Sequence, residues 1–244
     1  MPKVYFDERI ARTYDERSAE MFDPALLDRT VGFLADLAGD RAALEFAIGT
    51  GRVALPLSAR GIQVCGIELS EPMAARLRAK PGADAVAVTI GDMATAKVDG
   101  SFRVVYLVFN TIMNLITQDA QVDCFANAAA HLAPDGCFVI EVGIPQLQRL
   151  PPGETVRAFE VTPHHLGFDE FEIATQIEYS HHYFISDDGR CEIFSAPYRY
   201  VWPSELDLMA RLAGLQLRER WADWTRAPFT DDSRSHVSVW EKPA

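Results

Sequence analysis

From Ala42 onward the chain alternates short apolar, β-rich runs with helical stretches, and this alternation limits its fold more than any other feature. Ala43–Ala47, Gln63–Glu68, Ala85–Ile90, Val104–Phe109 and Cys137–Val142 are nearly uniformly apolar, without the period-two polarity of a half-exposed strand. Such runs suit a parallel sheet covered on both faces, with the intervening helices as right-handed crossovers. The expected class is α/β, with helices on both faces of a mostly parallel sheet.

Helix boundaries are legible from caps. Asp23 precedes Pro24 and Gly39 follows the same helix, Ser70 precedes Glu71-Pro72, and a helix from Thr117 to Leu132 stops before Pro134. Beyond Gly143 the texture changes. Pro145, Pro151, Pro152 and Pro163 break the chain, and aromatic, β-branched runs then flank Asp187-Asp188-Gly189, which signals a hairpin. The expected organisation is an N-terminal lid helix over residues 1–22, an α/β core over 23–143, an antiparallel β insert over 144–202, and a final helix with two closing strands over 203–244. The five core runs and the two closing strands make seven.

Composition narrows the function. Lys and Arg total 23 against 35 Asp and Glu, a formal charge of -12, so a nucleic-acid backbone would be repelled. No N-terminal export signal or bilayer-length apolar run is evident, so a cytoplasmic protein without a membrane partner is expected. Cys65, Cys124, Cys137 and Cys191 match no zinc or redox spacing and read as buried, reduced thiols; no metal site is expected.

The chemistry concentrates after the first strand, in Glu45-Phe46-Ala47-Ile48-Gly49-Thr50-Gly51-Arg52. Gly49 and Gly51 permit a tight turn and close approach of a ligand to the backbone, and Ala47 is small enough to serve similarly. Glu68 ends the second strand, where a carboxylate can accept two ribose hydroxyls, and Asp92 ends the third, where it can accept an adenine amino group. A glycine loop alone is a weak signal; the three in order are far more specific.

At these residues the sequence resembles the class I S-adenosylmethionine-dependent methyltransferases of small-molecule type, over roughly Ala42 to Val142. The resemblance implies a Rossmann-like, seven-stranded sheet and S-adenosylmethionine as cofactor. It places Glu45 toward the methionyl end, Ala47, Gly49 and Gly51 along the cofactor, Glu68 on ribose, Asp92 on adenine, and Leu69, Met73 and Met93 against the base. Ala47 stands where the family usually has glycine. Phe109 and Asn110, after the fourth strand, resemble the segment that holds the cofactor ammonium. The N-terminal aromatics resemble a lid, with Tyr14 toward cofactor and Tyr5 toward the acceptor.

Candidates for the acceptor side are Met113, Asn114, Tyr198, Arg199 and Trp202, with Arg199 suited to an anionic group. Candidate bases are His164, His165, His181 and Glu141, while His131 reads as structural. The expected reaction is in-line methyl transfer to N or O of a metabolite. A nicotinamide-dependent reductase and a non-catalytic cofactor-binding protein are the alternatives.

Overall fold

The computed structural model describes residues 5–243. The N-terminal segment forms α1 (Glu8–Arg17) and a 3-10 turn (Ala19–Phe22), and α2 (Pro24–Ala38) follows. Asp23 caps α2 by accepting the Ala25 and Leu26 amides at 3.0 Å, and Gly39 stops it in left-handed backbone. The core then runs β1 (Ala43–Phe46), α3 (Ala54–Ala59), β2 (Val64–Glu68), α4 (Glu71–Arg78), β3 (Val86–Ile90), β4 (Phe102–Leu107), α5 (Gln118–His131) and β5 (Leu132–Gly143). Ser70 and Thr117 cap α4 and α5 through the Met73 and Ala120 amides.

The insert contributes β6 (Val156–Val161), β7 (His165–Glu172), β8 (Ile177–Ile185) and β9 (Cys191–Arg199), a separate antiparallel sheet in that order. The chain closes with α6 (Pro203–Leu212), β10 (Gln216–Trp221) and β11 (Ser235–Glu241). The seven-stranded sheet has the order β10-β11-β5-β4-β1-β2-β3; β11 is antiparallel to both its neighbours, and the rest pair parallel. This is the Rossmann-like α/β architecture expected from the alternation.

The pleat divides the core. Leu44, Phe46, Phe138 and Trp240 pack with Phe125 and Leu206 from α5 and α6 on one face. Ala43, Tyr106 and Val139 pack with Phe33, Leu34 and Leu57 from α2 and α3 on the other. Each large side chain so buried is worth about 1.5 to 3 kcal/mol, which fixes the strand register. Strand order reverses between β1 and β4, and a crevice at the carboxyl ends of these strands is where ligands bind in such sheets. The thiol expectation needs correcting at Cys191, which is exposed on the insert hairpin, and at Cys65, which is half-buried. Among the described residues, no helix is long and apolar enough to cross a membrane.

Candidate active site

The turn after β1 carries Ala47, Gly49 and Gly51 at φ 51°, 58° and 80°, all left-handed. A side chain costs roughly 1 to 2 kcal/mol there, and Ala47 bears that cost where glycine would not. Gly51 is required by packing: a Cβ there would sit 2.8 Å from Leu77 Cγ on α4, so the neighbour excluding a side chain is this core leucine. At Gly49 the nearest atom would be Met73 Cε, at 3.6 Å.

Glu68 closes the turn from the next strand. Its Oε2 accepts the Gly49 amide at 2.7 Å and its Oε1 accepts the Ser70 amide at 2.8 Å. Burial raises the pKa of this carboxyl, while the Ser70 and Gly49 amides pull it back. A carboxylate offers about four lone-pair directions, and with the Ser70, Gly49 and Leu69 amides on three of them one is left for a ligand hydroxyl. Asp92, half-buried, spends Oδ1 on the Ala94 amide at 2.9 Å, beside buried Met93; Met73 is buried and Leu69 half-buried.

Glu45 is only 3% exposed, and its hydrogen bonds go to protein groups: Tyr106 donates to Oε2 at 2.9 Å and the Ala54 amide donates at the start of α3. Burial pushes its pKa up to about 8, with Tyr106 and Arg52 opposing.

The N-terminal segment sits on the same loop. Asp15 accepts the Thr50 hydroxyl at 2.6 Å and pairs with Lys80, which also donates to the Thr50 carbonyl at 2.8 Å. Ser70 donates to the Phe6 carbonyl, and Arg52 donates to the Met21 carbonyl at 3.1 Å. Phe6 meets Tyr14 edge-on at 6.0 Å. Burial raises the pKa of Tyr14, with Arg52 opposing and Glu68 reinforcing, so its hydroxyl lies in the field of the cradle. Asp15 and Lys80 are positioning residues that the sequence reading missed, because their partnership depends on how α1 docks.

After β4, Phe109 and Asn110 are both left-handed, at φ 59° and 58°. Glu141, a candidate base, has both oxygens engaged: Oε2 accepts the Phe109 amide at 2.9 Å and Oε1 accepts Trp224 Nε1 at 2.8 Å. It braces the loop. Asn110 Oδ1 accepts the Gly143 amide at 2.7 Å, and the Arg52 guanidinium lies 5.7 Å from the Phe109 ring centroid.

The histidines are bonded within the insert. His164, two-thirds exposed, meets the Ile185 carbonyl at 3.1 Å; His165 bonds His182 at 2.9 Å; His181 bonds Ser195 at 2.8 Å and approaches Glu170 at 3.6 Å. Burial lowers the pKa of His182 to about 4, helped by His165. None of these rings is hydrogen-bonded to the β1, β2 or β4 loops. His131 is structural, accepting the Val98 amide at 3.0 Å.

On the acceptor side the structure corrects Arg199. Its side chain is 5% exposed and braces the insert against the core, donating to Gln121, to Gln176 at 3.0 Å and to Glu205 at 2.7 Å. Asn114 closes its own turn by donating to the Thr111 carbonyl at 3.1 Å, Met113 packs against the core, and Trp202 precedes α6, partly exposed. Tyr198 is placed differently. Burial raises the pKa of its hydroxyl, and the neighbouring charges of Tyr14, Glu178, Asp169 and Tyr5 act in the same direction, which brings residues of the N-terminal segment and the insert into one neighbourhood. Asp169 and Glu178 carried no motif in the sequence, and only the β7–β8 register brings them together.

Comparison with known proteins agrees with this geometry. Residues 43–136 match the methyltransferase domain family model. The structure of the CcbJ methyltransferase from Streptomyces caelestis is 37% identical, covers 99% of each chain and superposes with a TM-score of 0.88. A cypemycin N-terminal methyltransferase from a Streptomyces species is 26% identical over 99% of this chain and 98% of its own. CalS10, an amino pentose methyltransferase from Micromonospora echinaspora, shares the fold at 21% identity, with a TM-score of 0.71 over 93% of this chain and 96% of its own. With the whole length matched at this identity, and the acid, glycine loop and second-strand carboxylate in their expected order, the chain belongs to the class I S-adenosylmethionine-dependent methyltransferases.

Proposed function

We propose that this methyltransferase acts on a nitrogen of its small-molecule acceptor. The observation that carries this reading is the contrast between the candidate bases and the acceptor-side groups. The histidines and Glu141 are committed to protein partners, whereas Tyr198 shares its surroundings with two carboxyls and two further tyrosines. A carboxyl pair attracts and orients a cationic amine, whereas a neutral hydroxyl acceptor gains nothing from its charge. The cypemycin enzyme's name refers to an N-terminal acceptor, and a chain's N-terminus carries an amine.

In this reading the lone pair left on Glu68 takes a ribose hydroxyl, Asp92 with Leu69, Met73 and Met93 takes adenine, and the amides of the Ala47–Gly51 turn lie along the cofactor. Phe109 and Asn110 face its amino-acid end. Tyr14 covers the cofactor from above, and Tyr5 and Tyr198 wall the acceptor. S-adenosylmethionine supplies an electrophilic methyl whose departure leaves a neutral thioether. The chain's own residues hold the nucleophile in line and exclude water. Glu45 serves this arrangement from below by fixing the start of α3.

The test pairs amines with phenols and alcohols of matching shape, incubated with S-adenosylmethionine and read by mass spectrometry. Methylated amines with untouched hydroxyl partners support the reading; methylated hydroxyl compounds with untouched amines overturn it.

A further inference from the structure

The insert sheet places two carboxyls where the cofactor cradle does not use them. Asp169 pairs with Ser180, and Phe171 with Glu178, across β7 and β8, so the two acids are diagonal neighbours on one face. They share a hydrogen bond, and Asp169 accepts a second from Ser180. Burial, then the charge of Asp169, pushes the Glu178 pKa up to about 8, so the pair holds one proton near neutrality. The groups facing them are few. Arg157 opposes Asp169 from β6, Tyr198 opposes Glu178 from β9, and His181 on β8 reaches Asp169. Tyr200, just past β9, has its ring 6.0 Å from that of Phe171, which is two positions after Asp169 on β7 and shares its face. It is 2% exposed, its hydroxyl has no hydrogen-bond partner, and it feels the charge of Glu178. The buried, unpartnered Tyr200 hydroxyl beside these two half-buried carboxyls is expensive unless a ligand completes it. Tyr198 links the cluster to Tyr14 and Tyr5 of the N-terminal segment, on the side where the reading above puts the acceptor.

We propose that Asp169 and Glu178 form the acceptor's ammonium site, binding a protonated amine through its N–H groups and accepting its proton before methylation. This rests on the nitrogen reading above. Arg157 stands against Asp169, which leaves Glu178, beside the tyrosines, as the end that meets the amine. As the ammonium enters, Glu178 releases its proton to water. The resulting carboxylate takes one N–H proton, the freed lone pair forms the C–N bond, and the C–S electron pair remains on sulfur. The methylated amine leaves as an ammonium ion, and the pair again holds one proton. The net reaction releases one proton per methyl transferred.

The test uses para-fluorobenzylamine and para-fluorobenzyl alcohol as probes, titrated into the full protein loaded with S-adenosylhomocysteine and followed by fluorine NMR. The amine is expected to bind at least about tenfold more tightly than the alcohol. Asp169→Asn and Glu178→Gln, tested singly, should each remove that preference while the affinities for the alcohol and for S-adenosylhomocysteine stay within about twofold, which also reports an intact fold. Calorimetry of amine binding in phosphate and in Tris near pH 7 should show release of roughly one proton by the unaltered protein and none by Glu178→Gln. Equal affinity for the two probes, a preference that survives Glu178→Gln, or absence of proton release from the unaltered protein overturns the ammonium site. Failure of S-adenosylhomocysteine to bind the unaltered protein would instead remove the methyltransferase reading beneath it.

Discussion

The Glu141 carboxylate accepts the Phe109 amide at 2.9 Å and thereby holds a bulky residue in left-handed backbone, at φ 59°. Strain of this kind persists only where the surroundings over-determine it. Glu141 supplies that constraint, because its other oxygen is pinned by Trp224.

Glu141→Gln keeps the shape but offers one acceptor oxygen to two donors, so either Phe109 or Trp224 loses its partner. A loss of about 1.5 to 3 kcal/mol is expected in urea unfolding, with weakened S-adenosylhomocysteine binding. An unaltered midpoint would mean that the loop holds itself.

Ala47→Gly should stabilise the protein by about 1 kcal/mol, since glycine accepts φ 51° freely and its greater freedom in the unfolded chain offsets only part of the relief. Thermal melting checks this. A lowered midpoint would show that the alanine methyl contributes packing that outweighs its backbone strain.

Glu45 gives a pH dependence whose sign can be worked out. Its folded pKa, about 8 through burial, lies above the ordinary 4.5 of the unfolded chain, so the folded state binds the extra proton. Stability is therefore lost as pH rises from about 4.5 through about 8. Glu45→Gln removes that slope, so its stability relative to the unaltered protein should rise between pH 5 and pH 8. A constant difference across that range would contradict the assignment.

Asp15→Ala should release α1 from the glycine loop by removing the partners of Thr50 and Lys80. A partly exposed ion pair is worth at most about 1 kcal/mol, so the midpoint should hardly move. Hydrogen exchange over Glu8–Arg17 should quicken, and the cofactor should bind several-fold more weakly.

The sheet, the caps at Asp23, Ser70 and Thr117, and the hairpin at Asp187-Asp188-Gly189 were legible because periodicity and turn chemistry are local. The positions of Glu68, at the end of β2, and Asp92, two residues past β3, were legible because strand ends are marked locally. Arg199 was misread because its burial depends on Gln121 and Glu205, distant in sequence and brought together only by packing α5 and α6 against the insert. That a side chain at Gly51 would meet Leu77 was not legible, because this contact is set by how α4 returns across the sheet. The pairing of Asp169 with Glu178 needed the β7–β8 register, which a shift of one residue would have abolished.

Cofactor recognition by Glu68 is the central claim, and calorimetric titration of S-adenosylhomocysteine into the protein and into Glu68→Ala tests it most directly. The account predicts saturable binding that weakens by about 2 to 3 kcal/mol in the variant, through lost hydroxyl bonds and a loosened Gly49 turn, with the fold retained. Equal affinity in the two proteins, or binding of a nicotinamide cofactor in place of S-adenosylhomocysteine, would contradict it.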